Sequence, residues 1–119
     1  MESSVSTKKL LGLVDRANLT VSLQFPLEGE PWPTSVAQLG SRTTHLHMHD
    51  WEGVIGHSPL TFLGSGTFPW EEALRALIPL AGNLTCSVEH LDHGNRHDPW
   101  ETVRRDGPWL QGLRTRLSS

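Results

Sequence analysis

Sulfur is scarce, tyrosine is missing and neither sign of charge predominates in this 119-residue chain. A single cysteine, Cys86, excludes an intramolecular disulfide and a zinc cluster built on several thiolates, and it fits a cytoplasmic address. Ten basic against thirteen acidic residues, a formal charge of −3, give no electrostatic reason to bind a nucleic acid backbone or a membrane surface. No run approaches the roughly twenty apolar residues of a membrane span. The opening from Met1 to Lys9 is polar and Ser-rich and has no apolar segment of the signal-peptide kind. Without a secretory route, the Asn-x-Thr triplets at Asn18 and Asn83 read as something other than glycosylation acceptors.

Histidine and tryptophan are plentiful instead, at seven and five. The histidines turn the search towards metal or proton chemistry. With 36% hydrophobic and 19% charged residues, the chain has the composition of a folded domain, and its length suits one domain with a modest core.

Three segments alternate apolar and polar residues with the period of a strand. Two open on the Asn-x-Thr triplets, Ala17-Asn18-Leu19-Thr20-Val21-Ser22-Leu23 and Gly82-Asn83-Leu84-Thr85-Cys86-Ser87-Val88. The third is Thr43-Thr44-His45-Leu46-His47-Met48-His49, followed by Asp50. Strands are expected near 19–24, 43–49 and 84–89. Helical patterns surround them. Val5, Leu10, Leu11, Leu13 and Val14 form an amphipathic stretch that Ser4 or Ser6 would cap, and Thr34–Leu39 is a short helix after a turn at Gly29–Pro33. Pro69-Trp70-Glu71-Glu72 opens a third helix backed by Leu74, Leu77, Ile78 and Leu80. Asp98-Pro99-Trp100-Glu101 opens a fourth, backed by Val103, Trp109, Leu110, Leu113 and Leu117.

Strands alternating with helices imply parallel pairing through crossovers. The alternation puts Leu19, Val21, Leu23, Leu46, Met48, Leu84, Cys86 and Val88 on one face. Thr20, Ser22, Gln24, His45, His47, His49, Thr85, Ser87 and Glu89 fall on the other. A sheet covered by helices on both faces would be apolar on both. A polar inner face with helices outside is the wall of a (β/α) TIM-type barrel, whose functional groups sit at the carboxyl ends of strands. Gln24, His49 with Asp50, and Glu89 with His90 hold such positions. Three strands are fewer than the usual eight. The fold expected is α/β: a single partial barrel domain over residues 1–119, about three parallel strands alternating with four helices.

The order of motifs resembles the closing part of the xylose isomerase-like barrels of the sugar phosphate isomerase/epimerase family. His47-Met48-His49-Asp50 stands where that family has a His-Leu-Lys-Asp-like strand end, and Gly64-Ser65-Gly66 where it has a Gly-x-Gly loop. Trp70-Glu71-Glu72 matches its next helix start, Val88-Glu89-His90 its last strand end and Asp98-Pro99 its final helix start. The resemblance runs from about Val5 to Leu117. It implies metal-assisted isomerisation or epimerisation of a sugar, sugar phosphate or other sugar derivative, with a divalent cation (manganese, zinc, cobalt or magnesium) at the barrel mouth. His47 and Glu89 take ligand positions, Glu89 doubles as the catalytic proton carrier, and His49 and Gln24 lie on the substrate side. The family's aspartate ligand falls on Gln24, its substrate-side histidine on Leu27, and its first glutamate before Met1. Completion of barrel and site is expected from a second copy or a complementary chain. The alternative is a non-catalytic binding module derived from such a barrel; metal-dependent cleavage at abasic DNA, which also uses this barrel, lacks a basic groove here.

Other features have simpler expected roles. Successive histidines of the 45/47/49 comb are about 7 Å apart along a strand, too far for neighbours to grip one ion unaided. His45 and His49 read by themselves as solvated or hydrogen-bonded polar residues, Asp50 as a residue that caps or positions the following loop or else a simple turn former, and Cys86 as a buried inert thiol. His90, His93, His97, Asp92 and Asp98 form a loop cluster able to collect a metal adventitiously. The Gly-containing stretch from Trp51 to Phe68 is long for a connection and reads as a lid. Arg104, Arg105, Arg114 and Arg116 read as a solvated helix face.

Overall fold

The protein is described by a computed structural model over residues 3–27, 30–89 and 91–118. Four helices and three sheet strands occur in the order that the periodicities predict. They are α1 (Ser4–Val14), β1 (Val21–Gln24), α2 (Trp32–Leu39), β2 (Thr43–Met48), α3 (Trp70–Ala81), β5 (Thr85–Val88) and α4 (Pro99–Leu117). Between β2 and α3 lies a small antiparallel pair, β3 (Asp50–Trp51) and β4 (Leu60–Thr61), where the sequence suggests only a long loop. β1, β2 and β5 form one parallel sheet in the order β1-β2-β5. Among the described residues there is no closed barrel.

The chain divides into two units, one of residues up to His47 with Ala73–Ser87, the other of Met48–Glu72 with Val88 onward. In the first unit the sheet has the two-faced character that its alternation requires. Leu23 and Leu46 are buried, while Ser22, Gln24, Thr85 and Ser87 are exposed. Ser22 pairs with His45 and Gln24 with His47 across β1 and β2, after an irregularity at Val21. His45 ties β5 to β2: its Nδ1 lies 2.6 Å from the Thr85 hydroxyl and its Nε2 2.9 Å from the Ser87 hydroxyl. Each ring nitrogen finds a hydroxyl that can donate or accept.

The helices of this unit correct the hydropathy reading. Ser3, not Ser4 or Ser6, caps α1, accepting the Ser6 N–H at 3.1 Å. The buried stripe of α1 is Ser4, Thr7 and Leu11, whereas Val5, Leu10, Leu13 and Val14 are exposed. The reason is a polar joint between α1 and α2. Glu30 accepts hydrogen bonds from Ser4 (2.6 Å) and Ser35 (2.5 Å), and both serines are fully buried. Burial opposes ionisation of Glu30, but the hydroxyls of Ser35 and Ser4 outweigh it and hold the carboxyl below its ordinary range. On α3 Leu74 and Leu77 are buried, while Ile78 and Leu80 are exposed. Cys86 is exposed rather than buried, as are its strand neighbours Thr85 and Ser87; partial desolvation of its sulfur still pushes the thiol pKa up.

In the second unit Trp51, Phe62, Leu63, Phe68, Trp70 and Leu113 form the apolar core. Asp98 caps α4 by accepting the Trp100 N–H at 3.0 Å, and Pro99 follows at the first turn, as the sequence indicates. The inward face of α4 carries Thr102, Asp106 and Leu113, with Trp109 half-buried and Val103 exposed. No described helix is long and apolar enough to cross a membrane.

Candidate functional site

Asp50 organises the second unit. Its carboxylate is wholly buried and accepts four backbone N–H groups: Oδ1 those of Trp51 (2.9 Å) and Phe68 (3.0 Å), Oδ2 those of Gly64 (3.0 Å) and Gly66 (3.3 Å). The glycines are required by space. A Cβ on Gly64, which has φ +78°, would collide with the Trp109 indole, and one on Gly66 with the Trp51 carbonyl and the Asp50 carboxylate. The stretch that reads as a lid is thus tied down from within. Thr67 adds a hydrogen bond from its hydroxyl to the Gly53 carbonyl at 2.5 Å.

His49 lies directly before this anchor, 6% exposed. Its ring meets Trp51 edge to face at 4.5 Å, and the Trp70 indole N–H donates to its carbonyl at 3.0 Å. The Glu89 N–H donates to the Met48 carbonyl at 2.9 Å, a parallel-ladder bond that brings Glu89 level with His49. Glu89 Oε2 then stands 3.6 Å from His49 Nδ1, ion-pair distance for a protonated ring and longer than a hydrogen bond. An imidazole and a carboxylate therefore meet just past the carboxyl ends of β2 and β5, the end where barrel chemistry is placed.

The other sequence-derived candidates are distributed as follows. His47 and Gln24 belong to the first unit, as cross-strand partners on the polar face, with Gln24 exposed and His47 half-buried. The His47 ring makes an edge contact with His45 at 5.1 Å between centroids. His90 lies outside the described residues. Among the described residues no three His, Cys, Asp or Glu side chains group to hold a metal, His93, His97, Asp92 and Asp98 included. Within the second unit the described contacts bring two of these donors together, His49 and Glu89, with their facing atoms 3.6 Å apart, and two donors are fewer than a divalent cation takes. The described donors by themselves therefore do not fit the divalent cation that the resemblance implies.

Asp106 escaped the sequence reading. It is 2% exposed, its Oδ1 accepts the Leu63 N–H at 3.0 Å, and its Oδ2 is buried with no hydrogen-bond partner among the described residues. The signal was available in the spacing of Thr102, Asp106, Trp109 and Leu113, one stripe of a helix. Burial raises its pKa, against the Leu63 N–H and Arg105, and the Asp50 charge adds to the rise. The folded state thus holds this proton more tightly than the unfolded one. Stability associated with Asp106 grows as pH falls through the raised pKa and is diminished above it. Asp106→Asn keeps an acceptor for Leu63 and removes the buried charge, so urea unfolding at pH 7 is expected to show unchanged or higher stability, by up to about 1 kcal/mol. A loss above about 2 kcal/mol would mean that the ionised form is needed.

Comparison of the chain with protein-family profiles, with curated proteins and with solved structures finds no match in any of the three.

Proposed function

We propose that the chain is a partial (β/α)-barrel domain of the sugar phosphate isomerase/epimerase type, in which Glu89 moves a proton beside a carbonyl of a sugar or sugar phosphate. The observation that carries this reading is the meeting of His49 and Glu89 beyond two parallel strands. In such a step Glu89 takes the proton from the carbon next to the carbonyl and leaves an enediolate. Return of the proton to the former carbonyl carbon, with the hydroxyl proton passing from one enediolate oxygen to the other by way of solvent, isomerises the sugar. Epimerisation returns it to the same carbon from the opposite side, which requires a second acid. His49, once protonated, balances the Glu89 charge and fixes its orientation. His47 and Gln24, on the polar sheet face, are assigned to ligand and substrate contacts. A second copy or complementary chain would supply the remaining strands and carboxylates, and with them any manganese, zinc, cobalt or magnesium site.

The second reading, a binding module without chemistry, is favoured by Gln24, an amide where the family places a carboxylate. Both readings predict association through the exposed sheet edges at β1 and β5. The deciding experiment incubates the full chain, with each of the four cations in turn, with pentose and hexose phosphates in deuterium oxide and follows the substrates by NMR. Deuterium entering next to the carbonyl, abolished in Glu89→Gln and reduced at least tenfold in His49→Ala, supports the enzyme. Saturable sugar phosphate binding without exchange supports the module. Neither exchange nor binding, in a chain that sediments as a monomer, overturns both.

A further inference from the structure

The turn that follows Glu89 is built under strain. His93 (φ 49°), Gly94 (φ 73°) and Asn95 (φ 68°) are three successive residues in left-handed conformation. Glycine adopts this freely and asparagine readily, but histidine with its Cβ does not. A non-glycine residue persists there only when its surroundings hold it. Three sets of contacts do so. Asp92 closes the turn by accepting the Gly94 N–H on Oδ1 at 3.1 Å and the N–H groups of Arg96 and His97 on its carbonyl. Arg96 donates to the Leu60 carbonyl (3.2 Å) and to Glu52 (2.9 Å), and the Thr102 hydroxyl to the Leu91 carbonyl (2.5 Å). The third set is the His93 ring itself, 97% buried, edge-on to Phe62 at 4.8 Å and to His97 at 5.0 Å.

That ring occupies an unusual seat. Its Nδ1 is buried and has no hydrogen-bond partner among the described residues. As the lone-pair nitrogen of a neutral imidazole it forgoes one acceptor interaction. As part of an imidazolium it would be a buried cationic donor with nothing to receive its proton. Among the described residues the charges acting on it are His97, Arg96 and Asp92 within the turn and Arg105 on α4, of which Asp92 is negative. Arg105 is committed to the other wall of the seat, with its guanidinium 3.7 Å above the Phe62 ring. Nothing among these groups offers a carboxylate at Nδ1.

We propose that His93 is an acid-operated latch: protonation drives its ring off the Phe62–His97 pair, whose own centroids lie 5.0 Å apart, and releases the 91–97 turn beside Glu89. The inference stands on the buried, unpartnered ring and the left-handed backbone that it holds, independently of any reaction at Glu89. Desolvation, and then the positive charges of His97, Arg96 and Arg105, hold the His93 pKa below its ordinary value, with Asp92 opposing. The sign follows from that direction. The folded protein binds this proton more weakly than the unfolded chain, so the latch is fully closed above about pH 6.5, the ordinary value, and opens as pH falls through the lowered one. The open turn loses its left-handed strain, so its backbone has no reason to return until the ring is neutral again.

Amide hydrogen exchange on the full chain tests this, with each rate divided by its intrinsic rate at the same pH. Between pH 7.5 and pH 5.0 the protection of the Gly94, Arg96 and His97 amides is expected to fall at least tenfold, while the amides of β2 and of the last turns of α4 keep theirs. His93→Asn, which tolerates the left-handed backbone and does not titrate in this range, is expected to abolish that pH step. His93→Phe should do the same if it folds. The wild-type His93 imidazole, followed by NMR, should titrate below 6.5 and together with the loss of protection. Protection that survives to pH 5.0 in the wild type overturns the latch. So does a step of the same size in His93→Asn, or a His93 that titrates without any change in the turn.

Discussion

Asp50→Ala is expected to cost about 4 kcal/mol of stability, near the top of the range for single substitutions. The carboxylate is fully buried and accepts N–H groups from Trp51, Gly64, Gly66 and Phe68. A hydrogen bond to a charged group contributes about 1.5–3 kcal/mol, and a buried donor left alone costs about 1–3 kcal/mol. Four such donors would sum to more than 4 kcal/mol, but the carboxylate has itself been desolvated, and water can reach some of the freed amides in the alanine variant. Asp50→Asn is the sharper test. Each oxygen of Asp50 serves two donors, so whichever way the asparagine is turned, its NH2 group points at two backbone N–H groups. A loss of about 2–3 kcal/mol is expected in urea unfolding at pH 7. If Asp50→Asn were as stable as the wild type, the loop would be held by its glycines and by Phe68, and the carboxylate would be incidental. The same change of Asp to Asn is expected to be harmless at Asp106, which has one donor and one unpartnered oxygen. Two buried carboxylates in one unit thus differ in sign of effect because they differ in what faces them.

Sequence pattern reached some of this arrangement and missed some for identifiable reasons. Alternation in Leu46-His47-Met48 placed β2 and sorted its faces, since a strand buries every second residue. The β3–β4 pair has two residues on each side, too few to show a period, whereas the expectation that Asp50 positions the following loop agrees with the backbone amides that its carboxylate holds. Hydropathy chose the wrong side of α1. Leu10, Leu13 and Val14 outrank Ser4 and Thr7 on any scale, yet the serine is buried by its bond to Glu30, a residue 26 positions away. Cys86 was assigned to the covered face by parity alone, and parity says nothing about whether an edge strand is covered.

The candidate site shows the same division. The resemblance and the comb of histidines marked His47 as the imidazole to watch, and Glu89 as the carboxylate. The structure describes His49 as the ring facing Glu89, because the bond from the Glu89 N–H to the Met48 carbonyl fixes the register one residue past the strand end. Register is a property of the pairing, and no single strand carries it. Two of the five tryptophans, a compositional oddity in the sequence, wall that site, with Trp51 against the His49 ring and Trp70 bonded to its carbonyl.

Trp70 therefore joins packing to the position of His49, and its two truncations should separate these roles. The indole is 2% exposed, packs at a tilt against Phe68 at 4.4 Å between centroids and donates its N–H to the His49 carbonyl at 3.0 Å. Trp70→Ala opens a large cavity in the second unit, and about 4 kcal/mol of destabilisation is expected in urea unfolding. Trp70→Phe retains most of the ring contact but leaves the His49 carbonyl without its donor, for about 2 kcal/mol. If packing alone mattered, the phenylalanine variant would lose stability without disturbing His49. A hydrogen bond that sets the His49 backbone predicts more: the His49 imidazole resonances should shift or broaden in Trp70→Phe, and the Glu89 amide, bonded one residue earlier to Met48, should lose protection from exchange. Unchanged His49 resonances in a destabilised Trp70→Phe would reduce Trp70 to core filling and leave Trp51 and Glu89 as the groups that orient the ring.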